Sequence, residues 1–144
     1  MMFQVKSALS AEELTEINDA LEDQNYVDGR ETAANAASLV KRNTRLPVAS
    51  DLRAHMSQKI EKALRRNQMF VWLTMPKRIG SFHLTRYEKT HNYGDHVDNS
   101  IMGLPAGAPM RADISMTVFL NNTEDYDGGE FHRVETVTRS VAIA

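Results

Sequence analysis

The chain has no cysteine among its 144 residues, which excludes disulfides, thiolate metal sites and a cysteine nucleophile. Any metal it holds must be bound through nitrogen and oxygen, a ligand set that suits iron among others. No apolar run approaches the ~20 residues that a membrane-spanning helix needs. Met1-Met2-Phe3-Gln4-Val5-Lys6 lacks the apolar core of a signal peptide. Positive charge is not in excess: 17 Lys and Arg stand against 19 Asp and Glu, a net −2. Bulk electrostatics therefore give no support to a nucleic-acid partner. Internal repeats and low-complexity tracts are missing as well. What remains is an ordinary globular composition, 42% hydrophobic and 25% charged. The length fits a single domain over 1–144. A soluble cytoplasmic protein with no membrane attachment is the expectation.

The first half reads as helical, with 1–68 mainly a helical support. Ser10 and Glu13 have the spacing of a capping box, and Leu14, Ile17 and Leu21 follow at helical spacing. That helix should end near Asp23, before the turn residues Asn25 and Asp28-Gly29. A second helix is expected after Ser50, with Leu52, Met56, Ile60 and Leu64 on one stripe and Arg65 and Arg66 in its last turn. Between them, Thr32 to Pro47 shows no clear period and is expected to be a loop or irregular strand. From Met69 the pattern changes, and 69–144 is expected to form a β core carrying the site. Met69 to Leu73 reads as a strand closed by Pro76, Ser81 to Tyr87 as a second and Tyr93 to Asp98 as a third. Asn99 to Pro109, rich in Gly and Pro, is expected to be a loop beside the site. Ile114, Met116, Val118 and Leu120 alternate with polar neighbours and predict a strand over Ala112 to Leu120. Asn121 to Gly129 reads as a polar turn, and Val134 to Ile143 as strand again. Helices first and β segments afterwards predict an α+β fold.

The chemistry concentrates in Tyr93-Gly94-Asp95-His96-Val97-Asp98. On a strand, residues i and i+2 share a face, so His96 and Asp98 would supply an imidazole and a carboxylate together. Those are two of the three ligands of a 2-His-1-carboxylate facial triad, which holds Fe(II) and leaves positions open. His132 is the only histidine after Asp98 and the candidate for the third. A surface His and Asp on an edge strand is the plainer alternative. His55 falls within the second helix and is expected at its surface, while His83 and His91 read as structural or solvated.

Tyr87 to Asp98 resembles the metal-binding strand of the bacterial PKHD-type hydroxylases, in the prolyl 4-hydroxylase-like branch of the Fe(II)/2-oxoglutarate dioxygenases. Met110 to Leu120 resembles that family's next block, Asp125-Tyr126-Asp127-Gly128-Gly129-Glu130 its Tyr-x-Gly-Gly-Glu turn, and His132 to Arg139 its distal histidine segment. Gly29 to Ala33 and Val40 to Asn43 fit as well, so the likeness runs through nearly the whole chain in matching order. The resemblance implies a double-stranded β-helix (jelly roll) with the N-terminal helices packed outside it. It implies His96, Asp98 and His132 as iron ligands and as the catalytic centre. 2-Oxoglutarate would be the cosubstrate, converted to succinate and CO2 as O2 is consumed and a C–H bond of a peptidyl (for example prolyl) or small-molecule substrate is hydroxylated. L-Ascorbate would be the reductant. Tyr87 matches a family tyrosine near the far carboxylate of 2-oxoglutarate, and Tyr93 either lines the metal pocket or packs as an ordinary amphipathic residue.

Two departures stand out. The family places a hairpin between its Gly-Gly-Glu turn and its distal histidine, whereas here Phe131 alone separates Glu130 from His132. Strands and connection amounting to roughly 20–30 residues are missing, which would leave the jelly roll incomplete and its edges open. The family's cosubstrate arginine falls at Ala142, so Arg139 is the nearest candidate and Arg133 a poorer one. Both flanks match the family well, which favours a longer protein with segments omitted between them; an intact mass near 16.2 kDa would rule that out. The rival is a shortened, non-catalytic metal- or partner-binding β-barrel, whose apolar edges would favour a homodimer. A zinc hydrolase with the same ligands has no evident general base.

Overall fold

The computed structural model describes residues 2–33, 36–104, 107–132 and 140–143. In chain order these form β1 (Met2–Val5), α1 (Ala11–Glu22), β2 (Val27–Asp28), a 3-10 turn (Gly29–Thr32), α2 (Ala36–Leu39), β3 (Lys41–Arg42) and β4 (Thr44–Arg45). There follow α3 (Asp51–Arg66), α4 (Gln68–Thr74), β5 (Thr85–Arg86), β6 (Asn92–Tyr93), β7 (Ile101–Leu104), β8 (Gly107–Arg111), β9 (Ser115–Val118) and β10 (Ser140–Ile143). The fold is α+β. Four small sheets form among the described residues: β1-β10-β9, β2-β4-β5, β3-β6 and β7-β8. The first is parallel throughout and the others antiparallel. None of them closes into a barrel.

The two long helices form where the sequence places them, for the reasons it gives. Ser10 Oγ accepts from the Glu13 amide and Glu13 returns the bond to the Ser10 amide, completing the capping box of α1. Ser50 caps α3 by accepting from the Arg53 amide at 3.2 Å. Ion pairs Arg66–Glu13 and Lys59–Glu16 tie the outer faces of α1 and α3 together. Their inner faces supply Ile17, Leu21, Met56, Ile60 and Leu64 to a core that also takes Val5, Leu46, Phe70 and Leu84. Ile114, Met116, Val118 and Leu120 pack against this core, as their alternation predicts, although β9 itself covers only Ser115–Val118.

Several segments differ from expectation. Met69 to Leu73 is helix, not strand, because its termini outweigh its β-forming side chains. Asn67 Oδ1 accepts from the Phe70 amide at 2.9 Å at one end, and Met75 closes the other in the left-handed conformation with φ 41°. Ser81 to Tyr87 and Tyr93 to Asp98 shorten to the two-residue β5 and β6. The stretch Thr32 to Pro47 holds α2, β3 and β4, with Lys41, Asn43 and Arg45 all turned inward. Asn99 to Pro109 contains most of the β7–β8 hairpin rather than a loop. Its register shifts between Met102 and Leu104, around Gly103, and a glycine at a bulge masks the strand pattern. Residues 133–139 lie outside the described part, so of Val134 to Ile143 only β10 is described.

Candidate functional site

The site begins where β3 and β6 pair, with Lys41 opposite Tyr93 and Arg42 opposite Asn92. The Gly94 amide extends this ladder by donating to Val40 O at 2.9 Å. A Cβ at Gly94 would stand 3.0 Å from the Val40 Cβ, so glycine allows the close approach. The strand stops there. His96 and Asp98 therefore do not meet as i and i+2 of one strand; a bend brings them together instead.

That bend is held by His96 Nδ1, which lies 2.7 Å from Gly94 O. The imidazole folds back onto Tyr93, ring centroids 3.6 Å apart and 11° from parallel. A carbonyl oxygen only accepts, so Nδ1 carries a proton and Nε2 is the ring nitrogen left to meet Asp98. Nε2 faces Asp98 Oδ1 at 3.3 Å. With a proton on Nε2 the two form an ion pair; without it, the nitrogen lone pair and the carboxylate oxygen both face the same point and can share a cation there. Two ligand atoms about 2.1 Å from one metal ion and at right angles to each other are about 3 Å apart. The pair therefore fits two adjacent positions of a metal site. Ser115 Oγ on β9 donates to Asp98 Oδ2, leaving Oδ1 free. Each ligand thus has an outer partner that orients it.

The remaining expected residues are placed differently. His132 is exposed in the polar stretch after Gly129, and among the described residues no group of three His, Cys, Asp or Glu side chains converges. The fit is that of a pair. Arg139 and Arg133 lie outside the described residues. Tyr87 is 50% exposed; the protein around it raises its phenol above the usual value, offset in part by the nearby Asn43 side chain. Burial raises Tyr93 too, and Asp98 and Tyr87 add to the effect. His91 Nδ1 accepts from the Glu88 amide at 3.1 Å, a turn contact, and His55 is exposed on α3. His83 keeps an open face, yet partial burial and then the cations Lys41, Arg53 and Arg45 hold its pKa below the ordinary value.

Sequence reasoning missed Ser115, Lys41 and Asn43. Lys41 lies over the Tyr93 ring, Nζ 4.9 Å from the centroid. Its inward turn was signalled by the period-two spacing of Lys41, Asn43 and Arg45, but their polarity reads as a loop.

An α+β chain with no thiolate and an imidazole and a carboxylate oxygen 3.3 Å apart is, in class, a candidate N/O-ligated metalloprotein. No family model matches it. It is 37% identical over 141 residues to a PKHD-type hydroxylase of Xylella fastidiosa (strain M23), covering 94% of this chain and 61% of that protein. It is 41% identical over 130 residues to one of Acaryochloris marina (strain MBIC 11017), covering 90% and 57%. A third, from Cupriavidus metallidurans, is 38% identical over 132 residues, covering 90% and 58%. Over nearly its whole length the chain is thus similar to proteins named PKHD-type hydroxylases. It spans about three fifths of the length of the curated relatives it matches.

Proposed function

We propose that the chain is the helical support and part of the β core of an Fe(II)/2-oxoglutarate-dependent dioxygenase that hydroxylates a C–H bond. The observation that carries this reading is the His96 Nε2–Asp98 Oδ1 approach at 3.3 Å, an imidazole and a carboxylate at the spacing of two adjacent metal ligands. Sequence kinship with proteins named hydroxylases supports the redox chemistry over a hydrolytic use of the same ligands. In this reading His96 and Asp98 are two iron ligands and His132 the third. The described strands belong to a jelly roll completed by further chain, and 2-oxoglutarate is the cosubstrate, with ascorbate as reductant. Bound iron with 2-oxoglutarate supplies the oxidising power.

The residues in hand do the positioning. Gly94 O fixes the imidazole tautomer, Tyr93 stacks under the ring and Ser115 turns Asp98 so that one oxygen is free. Tyr87 and Arg139 are the proposed contacts to the cosubstrate. The substrate is a peptidyl or small-molecule C–H donor.

The test is an anaerobic titration with Fe(II) and 2-oxoglutarate, following the visible charge-transfer band of a chelated 2-oxo acid. The band should appear with the wild-type protein and vanish in His96→Ala, with succinate formed once O2 is admitted. No band from a folded protein would overturn the reading. His132 stands apart from the pair among the described residues, and that outcome would favour the non-catalytic metal- or partner-binding β-barrel.

A further inference from the structure

Lys41 and Asn43 are both buried, 6% and 4% exposed, and neither has its full set of polar partners. The Lys41 ammonium has one hydrogen bond, to Thr32 Oγ1 at 3.3 Å, and its place over the Tyr93 ring. Among the described residues it forms no ion pair. Asp28 and Asp98 act on it only from a distance, less strongly than burial and Arg45 oppose its charge. Among the described residues the Asn43 amide has no partner in hydrogen-bond geometry at Nδ2 or Oδ1, although the Tyr87 hydroxyl interacts with it. Arg45, further along, is better provided: its guanidinium bonds Glu31 at 2.9 Å and Leu46 O at 2.9 Å, with only Nε lacking a partner among the described residues.

Burying an ammonium without an ion pair and an amide short of partners costs stability, so a binding role is the natural source of the arrangement. Lys41, in β3, and Asn43, the residue that joins β3 to β4, are two positions apart and both turned inward. One oxygen of a carboxylate can take the ammonium while the other takes an Asn43 N–H. A single uncompensated cation beside a neutral amide matches one negative charge; a phosphate dianion would leave charge over. The Tyr93 ring touches both Lys41 and His96. A group anchored at Lys41 is therefore one aromatic ring from the metal-ligand pair, with the half-exposed Tyr87 beside it.

We propose that Lys41 and Asn43 bind a carboxylate of the substrate, so that the hydroxylated molecule is an acid held by its carboxylate next to the metal. The substrate role rests on the dioxygenase reading; the anion site does not.

The probe is acetate, with acetamide as the uncharged control, and the readout is the Asn43 side-chain amide signals in a 15N-correlated NMR spectrum. Acetate should shift them in the metal-free protein and acetamide should not; no acetate shift would overturn the site. The same shift should persist with Zn(II), a diamagnetic stand-in, and 2-oxoglutarate bound. If 2-oxoglutarate displaces acetate, the site serves the cosubstrate and the substrate assignment is overturned. Lys41→Gln should abolish the shift with the thermal midpoint unchanged or higher, whereas a large fall would mark the ammonium as structural. Asn43→Asp supplies the carboxylate from within the chain and should raise the thermal midpoint; a lower midpoint would contradict an anion site here. The metal-free arm holds whether or not the charge-transfer band appears, so the two readings fail separately.

Discussion

His83 lies near Lys41, Arg53 and Arg45, and both partial burial and those cations disfavour its protonated form. Its folded pKa is below the unfolded value of 6.5, so the unfolded chain takes up the proton more readily. Stability should be full above about pH 6.5 and fall as pH drops through that value, and His83→Gln should flatten this part of a urea-midpoint profile. Ser115 offers a second check. Losing its bond to Asp98 should weaken Fe(II) binding of Ser115→Ala by about 10–100-fold in an anaerobic metal titration, with the unfolding midpoint little changed. Single residues were legible where chemistry is local: His96 and Asp98 stand out because the two ligand types sit two positions apart. Ser115 is 17 residues beyond Asp98 in the chain, and nothing near it in sequence announces the bond. Gly29 is similar, since only the folded chain shows that a Cβ there would lie 1.8 Å from Asn43 Oδ1.

Among the elements, Asn67 carries more than its position suggests. Its amide donates to Leu64 O at 3.1 Å at the close of α3, and its side chain opens α4. Asn67→Ala should therefore cost about 1 kcal/mol, read from urea unfolding, with hydrogen exchange rising first in α4. The long helices were readable because cap and apolar stripe agree in each. α4 was not, since five apolar residues suit either period and only the cap decides. The two-residue strands escape sequence reading for a different reason. Their pairings join partners such as Arg45 and Thr85, and such contacts have no local signature.

Across the molecule, the α+β class was legible from the order of patterns, while the mixture of parallel and antiparallel sheets was not. No helix is long and apolar enough to cross a membrane among the described residues. Met69, Trp72 and Met75 nonetheless leave an apolar strip on and just beyond α4 open, with Trp72 80% exposed. Trp72 is the only tryptophan, so acrylamide should quench the fluorescence of the folded protein almost as well as that of the unfolded chain. Strong protection of the folded protein would contradict this surface.

The parallel ladder that sets β10 between β1 and β9 also has a bearing on time. Met2 pairs with Ser140 and Val5 with Ile143, partners separated by nearly the whole sequence. Such contacts are slow to form because a long loop must close first. During synthesis α1 and α3 can fold as they emerge, while β1 waits for its strand partner until residues 140–143 leave the ribosome. An early-synthesised strand awaiting so late a partner is a natural point for chaperone capture, or for pairing with the wrong neighbour.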